Sequence, residues 1–216
     1  VDVAVKYLGH WDPVVRNVKA ASYLAMKLQA DPKVALTLER LMADPTKGGD
    51  IRDEVRAAAA TVYSFMPSYM PRKVIPEMVR LLMLDKGVLV QQAARGTLVA
   101  MSDEAQVAID QIITAMEVRT PKAGPKRTDN ILETLSYLVF PSTPRSQKDK
   151  LLNLALANMD YAPGGALGAL EALGSHAKSA LPKIVQYRDT KADRMLRQRI
   201  NRHVIHAIDP EYDVSK

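Results

Sequence analysis

The sequence predicts an all-α protein, a solenoid of about six antiparallel helix pairs, on three observations. Strand-like alternation is almost missing, while apolar residues recur three and four apart, in segments broken roughly every 10 to 18 residues by Pro, Gly or Asp. Aromatics make up only 5% of the 216 residues, thin for a sandwich or barrel. About twelve such segments leave about 36 residues per pair, inside the range of helical repeat arrays.

The elements follow in order. A short helix opens the chain at 3–9. In the next, from Pro13 to about Leu28, Val14, Val18, Ala21 and Leu24 share one face. Leu36, Leu38, Leu41 and Met42 mark the third, and Ile51, Val55, Ala59 and Val62 the fourth, to about Phe65. The same spacing predicts helices near 74–85, 88–101, 104–118, 128–140, 146–159, 164–173, 177–188 and 193–208. Asp12-Pro13, Asp31-Pro32 and Asp44-Pro45 each offer an Asp cap followed by Pro at the first helical position, where its missing N–H costs nothing. Pro71, Pro76, Pro141 and Pro144 fall between helices or at their starts. Pro182 lies inside its segment, so it kinks that helix or moves its start.

Composition narrows the function. A 47% hydrophobic chain has enough apolar surface for a real core. No run approaches the roughly 18 apolar residues of a membrane span. The absence of cysteine excludes disulfides, thiolate catalysis and Cys-ligated zinc. No Gly-x-Ser-x-Gly elbow, His-Glu-x-x-His helix or EF-hand loop occurs, and Gly164-Gly165-Ala166-Leu167-Gly168 lacks the strand and the Lys-Ser/Thr of a phosphate loop. Those glycines read as a close helix contact. Asp53-Glu54 are sequence neighbours at a helix start, which suits dipole partners and not an acid/base pair. The expectation is a protein without catalysis, cofactor or metal.

Self-similarity is weak but visible. Asp12-Pro13-Val14-Val15-Arg16 recurs as Asp50-Ile51-Arg52-Asp53-Glu54-Val55-Arg56, and Ala59-Ala60 recurs as Ala93-Ala94. Asp-Pro-x-Val-Arg leading into an Ala-rich helix resembles the HEAT repeat, most clearly at Val55-Arg56-Ala57-Ala58-Ala59-Ala60. The run Ala166–Gly174, continuing into Ala180-Leu181-Pro182-Lys183-Ile184-Val185, resembles the short bacterial variant related to phycocyanobilin-lyase repeats, and Ile208-Asp209-Pro210-Glu211 is similar to the way such repeats end. The third pair departs from the pattern, with Val90 at the expected Arg position. The resemblance covers most of the chain. It implies a right-handed α–α superhelix of the HEAT/armadillo kind over 1–216, standing alone or as the module of a larger protein. It also implies structural roles for Asp12, Arg16, Arg56 and Arg197, which would brace the turns. It further implies a concave face near 16–27, 52–65, 88–101 and 194–208 that holds a protein partner.

Charge supplies the other candidate. The formal net charge is +6, and the window His176–His206 alone holds eight Lys/Arg against two acids. Lys191, Arg194, Arg199, Arg202 and His206 are the candidate partner-binding residues, with Arg199, Arg202 and His206 as a stripe on the last helix. Such a cluster suits a polyanion such as nucleic acid, or an acidic partner; its bland reading is the solvated cap of a repeat array. A second basic segment, Arg119, Lys122, Lys126 and Arg127, reads as a solvated loop over Thr120–Thr128. His203 and His206 have chelating spacing, yet no third ligand is near and two arginines would repel a cation. Met66, Met70, Met78 and Met83 read as core filler. Trp11 reads as a packing residue of the first turn, or as part of an amino-terminal interface.

Overall fold

The computed structural model describes residues 2–213, apart from the side chains of residues 47, 102, 103 and 118–123, and every regular element among them is helical. The chain is therefore all-α. Its contacts gather into two compact units, Val1–Ala108 and Ile109–Lys216.

In the first unit α1 (Asp2–Tyr7) precedes a π-helical stretch, Val14–Ala20, that runs directly into α2 (Ala21–Leu28). Then come α3 (Pro32–Met42), α4 (Asp53–Ser64), α5 (Pro71–Leu84) and α6 (Val88–Met101). Helices α2, α4 and α6 pack side by side, with α3 against α2 and α4 and α5 against α6. Ala57, Ala58, Ala59 and Ala60 are all buried, because α4 has neighbours on several sides and only small side chains let them approach. Leu24, Leu38, Met78, Leu82 and Leu98 fill the space between the layers.

The second unit holds most of α7 (Val107–Ala123), then α8 (Pro125–Leu138), α9 (Arg145–Asn158) and α10 (Pro163–Leu173). A 3-10 run, Gly174–Ala180, leads into α11 (Leu181–Thr190). The last helical run comprises α12 (Arg194–Arg199), π-helical Ile200–Val204 and α13 (Ile205–Ile208). Here α10 packs against α8, α9 and the last run. Glycine makes the α8–α10 approach possible. The Gly165 amide donates to Asp129 Oδ1 at 2.7 Å, and a side chain on Gly165 would collide with the Asp129 carbonyl. That agrees with the close-contact reading of the glycine cluster.

One turn device recurs three times in the first unit. The side chains of His10, Asp50 and Asp85 accept the backbone N–H two residues on, from Asp12, Arg52 and Gly87 at 3.1, 2.9 and 2.8 Å. The carbonyls of the same three residues accept a side chain six residues on: Arg16 at 3.0 Å, Arg56 at 2.7 Å and Gln91 at 2.9 Å. Each bracing side chain stands four residues after the one whose carbonyl receives its own N–H. Arg197 stands in the same relation to Asp193, and its guanidinium reaches the Ala192 and Asp189 carbonyls at 2.8 and 3.4 Å. The brace corrects the register of the third turn. Gln91, not Val90, occupies the arginine's place, and the counterpart of Asp50 is His10, not Asp12. Asp12 instead accepts from Val14 N at 2.8 Å, as Asp31 does from Lys33 and Asp44 from Thr46, so all three Asp-Pro steps cap as expected.

Other details depart from the expected elements. Val14 and Val18 are exposed while Ala20, Ala21, Leu24 and Ala25 are buried, because i→i+5 bonding widens the turn and a 3.6-residue wheel misplaces side chains before Ala21. On α3 the buried stripe is Val34, Leu38 and Met42, and Leu36 is 65% exposed. Pro76 sits inside α5, where it offers no N–H to the Arg72 carbonyl. Pro182 moves its helix start to Leu181. The segment 120–128 is not a loop: α7 runs to Ala123, α8 begins at Pro125, and Gly124 alone turns between them with φ 77°. The side chains of Arg119 and Lys122 lie outside the described residues. Met78 and Met83 are core, whereas Met70 is half-exposed in a left-handed conformation (φ 41°) before Pro71.

Four carboxylates, Asp50, Asp110, Asp189 and Asp209, are held below their ordinary value and give the fold an acid limit. Hydrogen bonding by Arg52 holds Asp50 below its ordinary value of 3.8, and Lys150 with Gln147 does the same for Asp110. A depressed folded pKa stabilises above the unfolded value, and that stability is lost as pH falls through the folded one. The melting temperature should therefore hold from about pH 5 to 8 and drop below about pH 4. The pair of substitutions Asp50→Asn and Asp110→Asn should flatten part of that acid limb, measured by circular dichroism. An unchanged slope would assign it to other groups.

Candidate functional site

The structure disperses the basic carboxy-terminal window. Lys178 pairs with Asp209 at 2.9 Å, Arg188 with Asp189 at 2.7 Å and Lys191 with Asp160 at 2.7 Å. Lys183 donates to the Leu156 carbonyl, and Arg197 is spent on its turn. Arg199 lies along α10, at 3.3 Å from the Gly164 carbonyl and 3.7 Å from Glu171. Of the eight cations, Arg194 and Arg202 alone meet no acceptor among the described residues. Part of the expected stripe borders one depression. Arg199 and Arg202 share a shallow depression of about 490 Å³ with Met195, Gln198, Glu171 and His203, while His206 lies outside its lining. Among the described residues no group of three His, Asp or Glu is placed to hold a metal ion.

At the amino-terminal end, Trp11 is 84% exposed and is no packing residue. Its ring stacks on His10 at 5.5 Å, and His10 in turn faces Tyr7 at 5.7 Å.

A second site carries more structure than either. A cleft of about 1030 Å³ opens in the first unit between the end of α3, the turn leading to α4, helix α5 and the turn at 84–87. Its floor is ion-paired. Buried Arg56 is held by Asp85 at 3.0 and 2.9 Å and by Asp53 at 2.7 Å, besides the Asp50 carbonyl. The Asp85 carboxylate raises the already high pKa of that guanidinium further. Arg80 is fixed by Glu77 at 2.8 and 2.5 Å and donates to the Met42 carbonyl at 2.7 Å, tying α5 to the end of α3. These pairs set the shape of the cleft and leave its floor little free charge. The rim differs: Arg72, Lys73 and Lys86 are exposed and meet no acceptor among the described residues, and the exposed acid Glu39 meets no cation among them. Ile51, 82% exposed, and Leu84, 41% exposed, add apolar surface beside those cations.

Sequence reasoning misses this cleft because its lining comes from five segments spread over nearly fifty residues. One local signal is legible. Arg72 and Lys73 stand in the first turn of α5 with no acid there, against the helix dipole. A local rule broken without local compensation points to a functional or strained position.

The fold defines an all-helical protein, and among the described residues no helix is long and apolar enough to cross a membrane. No family model, no curated protein and no solved structure matches the chain.

Proposed function

We propose that this chain is a noncatalytic scaffold of HEAT-like helix pairs, wound as a right-handed α–α superhelix, that holds a protein partner. The thrice-repeated turn brace supports the repeat reading, as does the side-by-side packing of every second helix within each unit. The observation that carries the functional reading is the chemistry of the cleft. Its interior ionisable groups are locked into ion pairs that brace helices, whereas a catalytic cleft keeps a titratable group poised for proton transfer. What it leaves open is an exposed mixture of apolar and charged side chains, the composition of a contact surface. The alternative is polyanion binding through the basic carboxy-terminal repeat. Its support is narrower, since Arg194 and Arg202 are the cations there without an acceptor among the described residues.

The test is mild crosslinking of the tagged chain in its native extract, followed by mass spectrometry. The expected result is a protein joined to the chain in stoichiometric amount, with no nucleic acid recovered. A chain recovered alone, or with nucleic acid only, overturns the scaffold reading.

A further inference from the structure

We infer that the cleft of the first unit is the docking site for an acidic peptide segment that also carries apolar side chains. The inference rests on the scaffold reading and names the partner's chemistry. Three features select that occupant. First, the exposed charge is mostly positive: Arg72 and Lys73 on α5 and Lys86 on the following turn meet no acceptor among the described residues, whereas of the lining acids Asp53, Glu77 and Asp85 are ion-paired and Asp44 is bonded to Thr46, which leaves Glu39. Cations from two elements that converge on one opening attract a chain of carboxylates, and such charges guide encounter and exclude basic partners. Second, the apolar surface is arranged for anchoring. Ile51 and Leu84 border the same opening, and the rings of Pro45 and Pro76 add rigid apolar surface that costs no side-chain entropy to use. A nucleic-acid strand would ask instead for aromatic side chains to stack on, and the cleft lining has none. Third, the site is already built. Arg56, bonded to Asp53, Asp85 and the Asp50 carbonyl, and Arg80, bonded to Glu77 and the Met42 carbonyl, fix the floor, so little ordering cost remains for binding.

The local strain in α5 fits the same reading. Two cations in its first turn repel the helix dipole and each other, and a bound carboxylate would relieve both.

The experiment is selection of phage-displayed random peptides, about a dozen residues long, on the full chain, then anisotropy with the selected peptides. The expected selection is rich in Asp and Glu with interspersed Leu, Ile or Phe. Binding should weaken as salt rises from about 50 to 200 mM. The triple variant Arg72→Glu, Lys73→Glu, Lys86→Glu should lose about tenfold or more in affinity, since three rim charges change sign. Ile51→Asp, at a site too exposed to unfold the chain, should weaken the same peptides, and Arg194→Glu with Arg202→Glu should leave them bound. Selected peptides without acid enrichment, or ones that bind the triple variant equally, overturn the cleft assignment while the scaffold reading stands. Peptides lost with the Arg194 and Arg202 changes move the site to the last helix and overturn it too. No selection above background, with duplex DNA bound instead, overturns both.

Discussion

Arg56→Met should destabilise the protein by about 3–5 kcal/mol, the cost of leaving a buried carboxylate without its partner. Asp85 is buried, and Arg56 faces it with two hydrogen bonds while also closing the Asp50 turn. Removing the guanidinium takes from Asp85 two hydrogen bonds and the positive charge that faces it directly, while the Gly87 amide still donates to it. Asp53 is half-exposed, so water repairs its loss. Arg16→Met provides the contrast: it removes the equivalent turn bond at His10, but among the described residues its guanidinium meets only Asn17 and the His10 carbonyl, and about 1 kcal/mol is expected. Adding Asp85→Asn to Arg56→Met should recover much of the loss, because the amide oxygen still accepts from Gly87 while the buried charge is gone. Urea unfolding of the four proteins measures these differences. If Arg56→Met costs no more than Arg16→Met, the pair is not the cross-brace of this unit.

How far the sequence can be read follows from the range of each interaction. The helices are legible because their signals are local: the Asp-Pro caps at Asp12, Asp31 and Asp44 bond within two residues, and the apolar spacing spans a few turns. Arg16, Arg56 and Arg197 stand out as turn residues, since a recurring Arg at a helix start is visible in one dimension. Their partners do not. A histidine, an aspartate and another aspartate accept the same amide bond, and a glutamine replaces an arginine, so chemical equivalence outlasts residue identity. The π-helical stretch Val14–Ala20 defeats the helical wheel where it opens the first long helix. The wheel assigns Val14 and Val18 to the core, and they are exposed. Nothing in a residue's type announces an i→i+5 bond.

The candidate site shows the same limit in charge. A run of cations looks like a basic surface when acids far along the chain are ignored. Asp160 and Glu171 lie outside the window His176–His206, yet they meet Lys191 and Arg199. The cleft is the reverse case: its composition is balanced, and only the pairing in three dimensions separates spent charges on the floor from free ones on the rim. Net charge by segment therefore points to the end of the chain, and unpaired charge points to the first unit.

Gly165→Ala and Gly96→Ala should shift stability in opposite directions, although both place the same methyl group on a helix. At Gly165 the new Cβ would overlap the Asp129 carbonyl oxygen and come within 2.9 Å of Asp129 Cα and Leu132 Cβ. Two of those three atoms are backbone of α8, so no rotamer change relieves the clash. The helices must separate, which stretches the Gly165–Asp129 bond and opens the Leu132 and Leu170 core, for an expected loss of about 1–3 kcal/mol. At Gly96, in the middle of α6, nothing lies within 4 Å of the added carbon. There the change only removes backbone freedom from the unfolded chain, and a gain of about 0.5–1 kcal/mol is expected. Thermal melts of the two single variants decide it. A neutral Gly165→Ala would mean that α8 and α10 can part without loss, and the close contact between them would not be a structural requirement of the second unit.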